Sequence, residues 1–304
     1  MFGTAVAATE FFPAKSMSIE PDPSQFSPEV MMGLREKQVF PLLGELKLAG
    51  GLTGPFFPTN GARLLVAAIG TDSVAGTSAP YTHTISAANV LQSLTLEENM
   101  GGFESKQYAG CIVNKYEMKV SAGSTEAEVT ADVMCQKVAV LDSPTATTYT
   151  NESPFVFAEA SLSIFGGQVL QVTDVTLTIE NEVKDTYTLN NVHTAQYITP
   201  TARKVSGKIM VVFTSLDDAT YGYFNKVIGS SGSPVTGALT LALTHASNNQ
   251  GVTFTVPSIS LSKYSDDAKL TDVIISSLDF EAYYDFGTSK SISAVLLNSK
   301  SSAY

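Results

Sequence analysis

Tryptophan is absent, cysteine occurs twice and histidine three times in 304 residues, and 18 Lys and Arg face 29 acidic residues. Each shortage narrows what the chain can do. Without Trp, a carbohydrate-stacking lectin loses its best platform, although Tyr and Phe are plentiful. A net charge of -11 argues against binding a phosphate backbone, which relies on Lys and Arg displacing counterions. Cys111 and Cys135 show no metal-ligand spacing. The longest helical apolar run, residues 64–69, is too short to span a bilayer. The opening MFGTAVAATEFF lacks a basic start and a long apolar run, so no signal peptide is expected, and the sequon Asn151-Glu152-Ser153 is not expected to be used. Charged residues are only 15% of the chain and hydrophobic ones 44%, which argues for order over disorder.

What is present is strand pattern. In residues 108–138, Tyr116, Met118 and Val120 alternate with Lys115, Glu117 and Lys119, and Val129, Ala131, Val133 and Cys135 alternate with Thr130, Asp132 and Gln136. That is the period-two signature of two strands. Ala122-Gly123-Ser124-Thr125 has turn composition. Register follows from the faces: Met118 opposite Val129, Tyr116 opposite Ala131 and Ile112 opposite Cys135 make one face apolar. The other face then sets Lys119 against Glu128 and Lys115 against Asp132, and a one-residue slip loses on both faces. This register separates Cys111 from Cys135, so both are expected to be free thiols, in keeping with a reducing site of folding.

Further strands are expected at 16–19, 41–48, 81–87, 90–97, 155–164, 172–181, 204–213, 238–244, 252–262 and 272–286. Helices are expected at about 59–69, stopped by Gly70, and after Asp217 and Asp218, stopped by Gly229. Residues 21–37 are expected to form a projecting Pro-rich loop. The order of elements repeats with an offset of about 160 residues. Ser18-Ile19-Glu20 matches Thr178-Ile179-Glu180, both helices end in Ile-Gly, and 112–120 aligns with 274–282, with the tail at 291–296 standing in for the strand at 129–134. The reading is an arm at 1–15, a β unit at 16–150, a second at 151–287 and a C-terminal strand or arm at 288–304.

Chemistry is sparse. His83, His193 and His245 have no Cys, Asp or Glu at ligand spacing and are expected to be polar surface. Of the adjacent carboxylates, Asp217-Asp218 fits a helix N-terminus, and Glu97-Glu98 and Asp266-Asp267 sit where strands meet loops. No glycosidase-type acid pair can be assembled. Gly101-Gly102 and Gly166-Gly167 lack a following Lys-Ser/Thr, and no Gly-x-Ser-x-Gly elbow occurs. No catalytic, cofactor or metal site is expected.

At the hairpin and its flanks the chain resembles the tail tube proteins of long-tailed, siphovirus-like bacteriophages. The resemblance is carried by Gly3-Thr4-Ala5-Val6, by the strand, helix and glycine of 44–70, by Gln92-Ser93-Leu94-Thr95-Leu96-Glu97, and by Tyr108-Ala109-Gly110-Cys111 leading into the hairpin. Val205-Ser206-Gly207-Lys208 and Val256-Pro257-Ser258-Ile259 continue it. It implies a mainly β fold of two tandem sandwich or barrel units, each with one flanking helix. Usually six units close a ring, so a duplicated chain implies three chains per ring, with a hexameric ring as the alternative, and rings stack into a tube. The implied function is passive conduction of DNA, with tail terminator, tail tip and tape measure proteins as partners, in a virion tail assembled in the host cytoplasm. Candidates for the lumen face are Lys115, Glu117, Lys119, Glu128, Asp132, Asp279 and Glu281. The arm at 1–15, the loop at 21–37 and the tail at 288–304 are candidates for contacts between rings. The rival reading is a secreted or surface β-sandwich that binds a glycan or receptor; a hydrolase would need the missing acid pair.

Overall fold

In the computed structural model, residues 2–304 are described except 31–32, 34, 37–39, 102–103, 147–149, 170, 190–191, 213–221, 230–232, 247 and 268–272. The alternating segments form strands β1 (Ser16–Phe26), β2 (Leu42–Pro55), β3 (Gly70–Ala75), β4 (Tyr81–Ala87), β5 (Leu94–Asn99), β6 (Ser105–Ser121), β7 (Glu128–Cys135) and β8 (Lys137–Leu141). They continue as β9 (Ala160–Ile164), β10 (Gly167–Val169), β11 (Val172–Glu180), β12 (Val183–Thr186), β13 (Tyr197–Pro200), β14 (Lys204–Val212), β15 (Thr236–Thr244), β16 (Gly251–Asp267), β17 (Ile275–Ala282) and β18 (Ser293–Asn298). Among the described residues, the α-helices α1 (Ala62–Ile69) and α2 (Tyr223–Ile228) interrupt the series.

The main path of the sheet runs β1-β2-β7-β6-β11-β14-β17-β16-β15-β9-β10, with β18, β4 and β3 branching from β16. Two strands, β6 and β16, turn the path into layers. The C-terminal half of β6 pairs with β7 and β11, whereas its N-terminal half pairs with β5 and β8. In the same way β16 pairs with β17 through its C-terminal half and with β15 and β18 through its N-terminal half. A single core lies between the layers and includes Tyr116, Met118, Leu177, Ile209, Leu278 and Phe280 from the main sheet and Leu241, Phe254 and Leu296 from the second layer. A smaller cluster of Leu91, Ile112, Val183, Ala195 and Ile198 covers the other face of the main sheet at one end.

Helix α1 is buried along almost its whole length and ends at Gly70, whose φ of 151° no L side chain adopts easily and whose N–H is donated to Val66. Helix α2 ends likewise at Gly229, with φ 80° and its N–H donated to Asn225, but it leaves Phe224 and Ile228 exposed. Asp217 and Asp218, expected at its start, lie outside the described residues.

Several expectations are corrected. The hairpin register holds from Lys115↔Asp132 to Lys119↔Glu128, but a bulge between Val113 and Lys115 shifts it beyond, so that Ile112 faces Met134. That shift brings Cys111 opposite Cys135, and the two form a disulfide instead of free thiols. Residues 21–26 belong to β1, not to a loop. The tail does not stand in for β7: β18 lies in the second layer between β16 and β4. The short strands β3, β8, β10, β12 and β13 went unforeseen.

Candidate functional site: the polar face of the main sheet

Because β-strand side chains alternate between faces, burying Tyr116, Met118, Val129, Ala131, Leu278 and Phe280 in the core leaves their neighbours on the opposite face. Lys115, Glu117, Lys119, Glu128 and Asp132 stand there on the adjacent strands β6 and β7, and Asp279 and Glu281 stand on the same face of β17, with β11 and β14 between. Charges alternate across the ladders. Lys115 faces Asp132 on one side and Glu180 on the other, and Lys208 faces Asp279. Lys115 Nζ also lies 2.9 Å from Glu117. The hydrogen bond that the Lys115 ammonium donates to Glu117 raises its pKa above the ordinary range, against partial desolvation. Lys204 meets Glu281 at 3.2 Å, and Lys15 bridges Glu126 and Glu128 at 2.6 and 3.2 Å. Lys115, Lys204 and Lys15 are thus held beside carboxylates, which blunts their attraction for a polyanion.

Polar groups that the sequence reading assigned elsewhere are structural ties. His83 and His245 are buried, not surface residues. His83 Nδ1 lies 2.8 Å from Asp72 and its Nε2 2.9 Å from the Lys300 carbonyl, joining β3, β4 and the C-terminal segment. His245 Nδ1 lies 2.6 Å from Glu159 and its Nε2 3.1 Å from the Ser153 carbonyl. Glu152 accepts the N–H groups of Thr59 and Asn60 at 2.8 Å each, just before α1. Asn181 donates to the carbonyls of Ala68 and Val113 at 3.0 Å. Arg203 donates to those of Ile69 and Ala88, and its burial lowers the guanidinium pKa. None of these ties carried a local sequence signal, because their partners come from distant strands.

The adjacent carboxylates do not assemble an acid pair. Glu97 accepts from the Thr145 amide, Glu98 from the Tyr108 hydroxyl and Asp266 from the Ser276 hydroxyl. Among the described residues, no group of three or more His, Cys, Asp or Glu could hold a metal ion. No helix there is long and apolar enough to cross a membrane. A cavity of about 430 Å³ lies between residues 6–17 and α1 and β5, lined by Val6, Phe12, Leu52, Leu64 and Leu94 among others. The arm over it is tied down by the Val6 amide on Thr95 and by the Lys300–Glu10 ion pair.

A sheet with a charge-alternating face and strand edges that carry no neighbour among the described residues suits a structural protein that assembles edge to edge. Residues 31–282 match the family model described as phage tail tube protein, and the chain belongs to that family. It is a virion structural protein whose function is to build the tail tube by self-association. A search of curated proteins returned no match. Nothing in these comparisons supports the glycan- or receptor-binding alternative.

Proposed function

We propose that the chain supplies two tandem tube units, residues 16–150 and 151–287, so that three chains close a ring of six units. Rings stack into a tube, and the polar face bearing the seven candidates lines its lumen. DNA and the tape measure protein pass through without binding, while terminator and tip proteins cap the two ends and the host cytoplasm is the place of assembly. A lumen in which lysines are paired and acid is in excess overall presents phosphate with few free cations.

The observation that carries the reading is the junction of β6 with β11. It joins strands of the two proposed units edge to edge within one chain. Counterparts taken from sheet order support the repeat: β1-β2-β7-β6 is followed by β11-β14-β17-β16. On this basis β6 corresponds to β16 and β7 to β17, which replaces the sequence alignment of 112–120 with 274–282. Glycine supports it as well. Gly50 faces Ile19 and Val133, and Gly207 faces Leu177 and Phe280, at the same place in each set.

Negative-stain electron microscopy of purified, concentrated protein, alone and with tail tips from virions, tests the reading, with chains per ring counted by native mass spectrometry. Rings of three chains with six-fold features are expected. Rings of six chains would refute the tandem units, and a chain that stays monomeric even with tips would refute ring formation.

A further inference from the structure

Among the described residues, one edge of β1 and one edge of the C-terminal half of β16 carry no strand. We infer that these two edges pair between neighbouring chains, in the register that β11 adopts on β6 within one chain, with Asp22 set against Lys263. The inference rests on the ring reading above and specifies its contact.

Counterparts follow from bulges and partners. The β6–β7 ladder resumes after its bulge with Lys115↔Asp132 and Tyr116↔Ala131. The β16–β17 ladder resumes after its own with Lys263↔Asp279 and Tyr264↔Leu278. Lys263 and Tyr264 therefore stand for Lys115 and Tyr116. The two glycines equate Ile19 with Leu177, and hence Asp22 with Glu180. Within the chain Glu180 faces Lys115, Ile179 faces Tyr116 and Thr178 faces Glu117. The junction between chains then sets Asp22 against Lys263, Pro21 against Tyr264 and Glu20 against Ser265. Opposite charge and apolar contact are both preserved. One pair departs, since Asp266 replaces Met118 opposite Ile19.

Exposure agrees with a missing neighbour. Tyr116 is fully buried, whereas Tyr264, beside the free edge, is only partly covered. The end of α1 is capped by Asn181 and Arg203 of the second half, whereas α2, its counterpart, leaves Phe224 and Ile228 at 55% and 65% exposure. Asp22 and Lys263 are both exposed and have no ion-pair partner among the described residues.

The edge also carries a register device. The Ala122 amide donates to Thr173 and the Asn181 amide to Asn114, so the amides of 173, 175, 177, 179 and 181 are the ones directed at β6. Their counterparts on the free edge are Met17, Ile19, Pro21 and Pro23, whereas the Lys15 amide is donated to Thr53 of β2. The two prolines have no N–H to offer, which leaves the far end of the edge unable to donate and discourages slipped or unrelated strands.

Carbodiimide coupling joins a carboxylate to an amine without a spacer, so it can be applied to tubes grown from an equal mixture of 14N- and 15N-labelled chains. A mixed-isotope peptide joining Asp22 to Lys263 is expected. Asp22→Lys and Lys263→Asp should each raise the protein concentration needed for tubes by about ten-fold, and the double variant should return it to within about two-fold of the parent. Tubes in which Lys263 couples only within its own chain or to another segment of its neighbour would overturn the register, as would single reversals that assemble like the parent. A parent chain that forms no rings even on tail tips would instead overturn the ring reading, and this inference with it.

Discussion

Two glycines in the interior of strands β2 and β14 offer a sharp test of packing. A Cβ at Gly50 would land on the Ser18 carbonyl oxygen and lie 2.6 Å from the Ile19 Cα, both backbone atoms of the paired strand. A Cβ at Gly207 would land on the Thr176 carbonyl oxygen and lie 2.5 Å from the Phe280 ring. An alanine elsewhere in a strand gains about 0.5–1 kcal/mol over glycine through backbone entropy. Here it must push two strands apart, at the roughly 1–3 kcal/mol typical of overpacking or somewhat more because backbone yields less than side chains. Gly50→Ala and Gly207→Ala should each cost a net 2 kcal/mol or so, lowering Tm by about 3–5 °C in a chain of this size. Gly123→Ala is the control: its Cβ would meet nothing closer than the Ser121 hydroxyl at 3.7 Å, and it should be neutral or slightly stabilising. Urea unfolding followed by circular dichroism, with equal m-values, measures all three. If Gly50→Ala proved as stable as the parent, the close β1–β2 approach would be refuted. If Gly50→Ala and Gly207→Ala differed widely, their equivalence in the tandem units would fail.

Reducing the Cys111–Cys135 disulfide opens a loop of sequence separation 24, for which loop-closure entropy predicts a loss of about 3.5 kcal/mol. Melting with and without reductant reads the loss, and native alkylation of both thiols without reductant would contradict the pairing. Tyr108 donates to the Ile19 carbonyl and Glu98; burial first, then the Glu98 charge, pushes its pKa up to about 12 from 10.0. The folded chain keeps this proton while the unfolded chain loses it, so stability should fall as pH rises from about 10 to 12. Tyr108→Phe should flatten that part of the curve, and an unchanged slope would refute the assignment. Asp72→Ala removes the partner of both His83 and the Tyr304 amide and should cost about 2–4 kcal/mol. It should also speed proteolysis of the C-terminal segment, seen by mass spectrometry; unchanged cleavage would show that the pair does not hold that segment.

Alternation over six to ten residues was enough to read most of the longer strands and, in the hairpin, the buried face and the pairing from Lys115↔Asp132 to Lys119↔Glu128, because a period of two is a local property. It set Lys115, Glu117, Lys119, Glu128 and Asp132 on one face of the hairpin for the same reason, whereas Asp279 and Glu281 were added through the alignment of 112–120 with 274–282, which sheet order does not keep. Both helix stops were legible too, since Gly70 and Gly229 each take a backbone conformation that other residues resist. What alternation could not reveal was the bulge in β6. Asn114 is bulged out where its carbonyl accepts the Asn181 amide and its side chain accepts the Val183 amide, from a segment far along the chain. The resulting shift moves Cys111 across from Cys135 and overturned the expectation of free thiols. The burial of His83 and His245 likewise depended on carboxylates and carbonyls brought in from other strands. Strand and face are settled by neighbours along the chain, whereas bulge, disulfide and free edge depend on which distant segment arrives alongside, and only packing of the whole chain settles that.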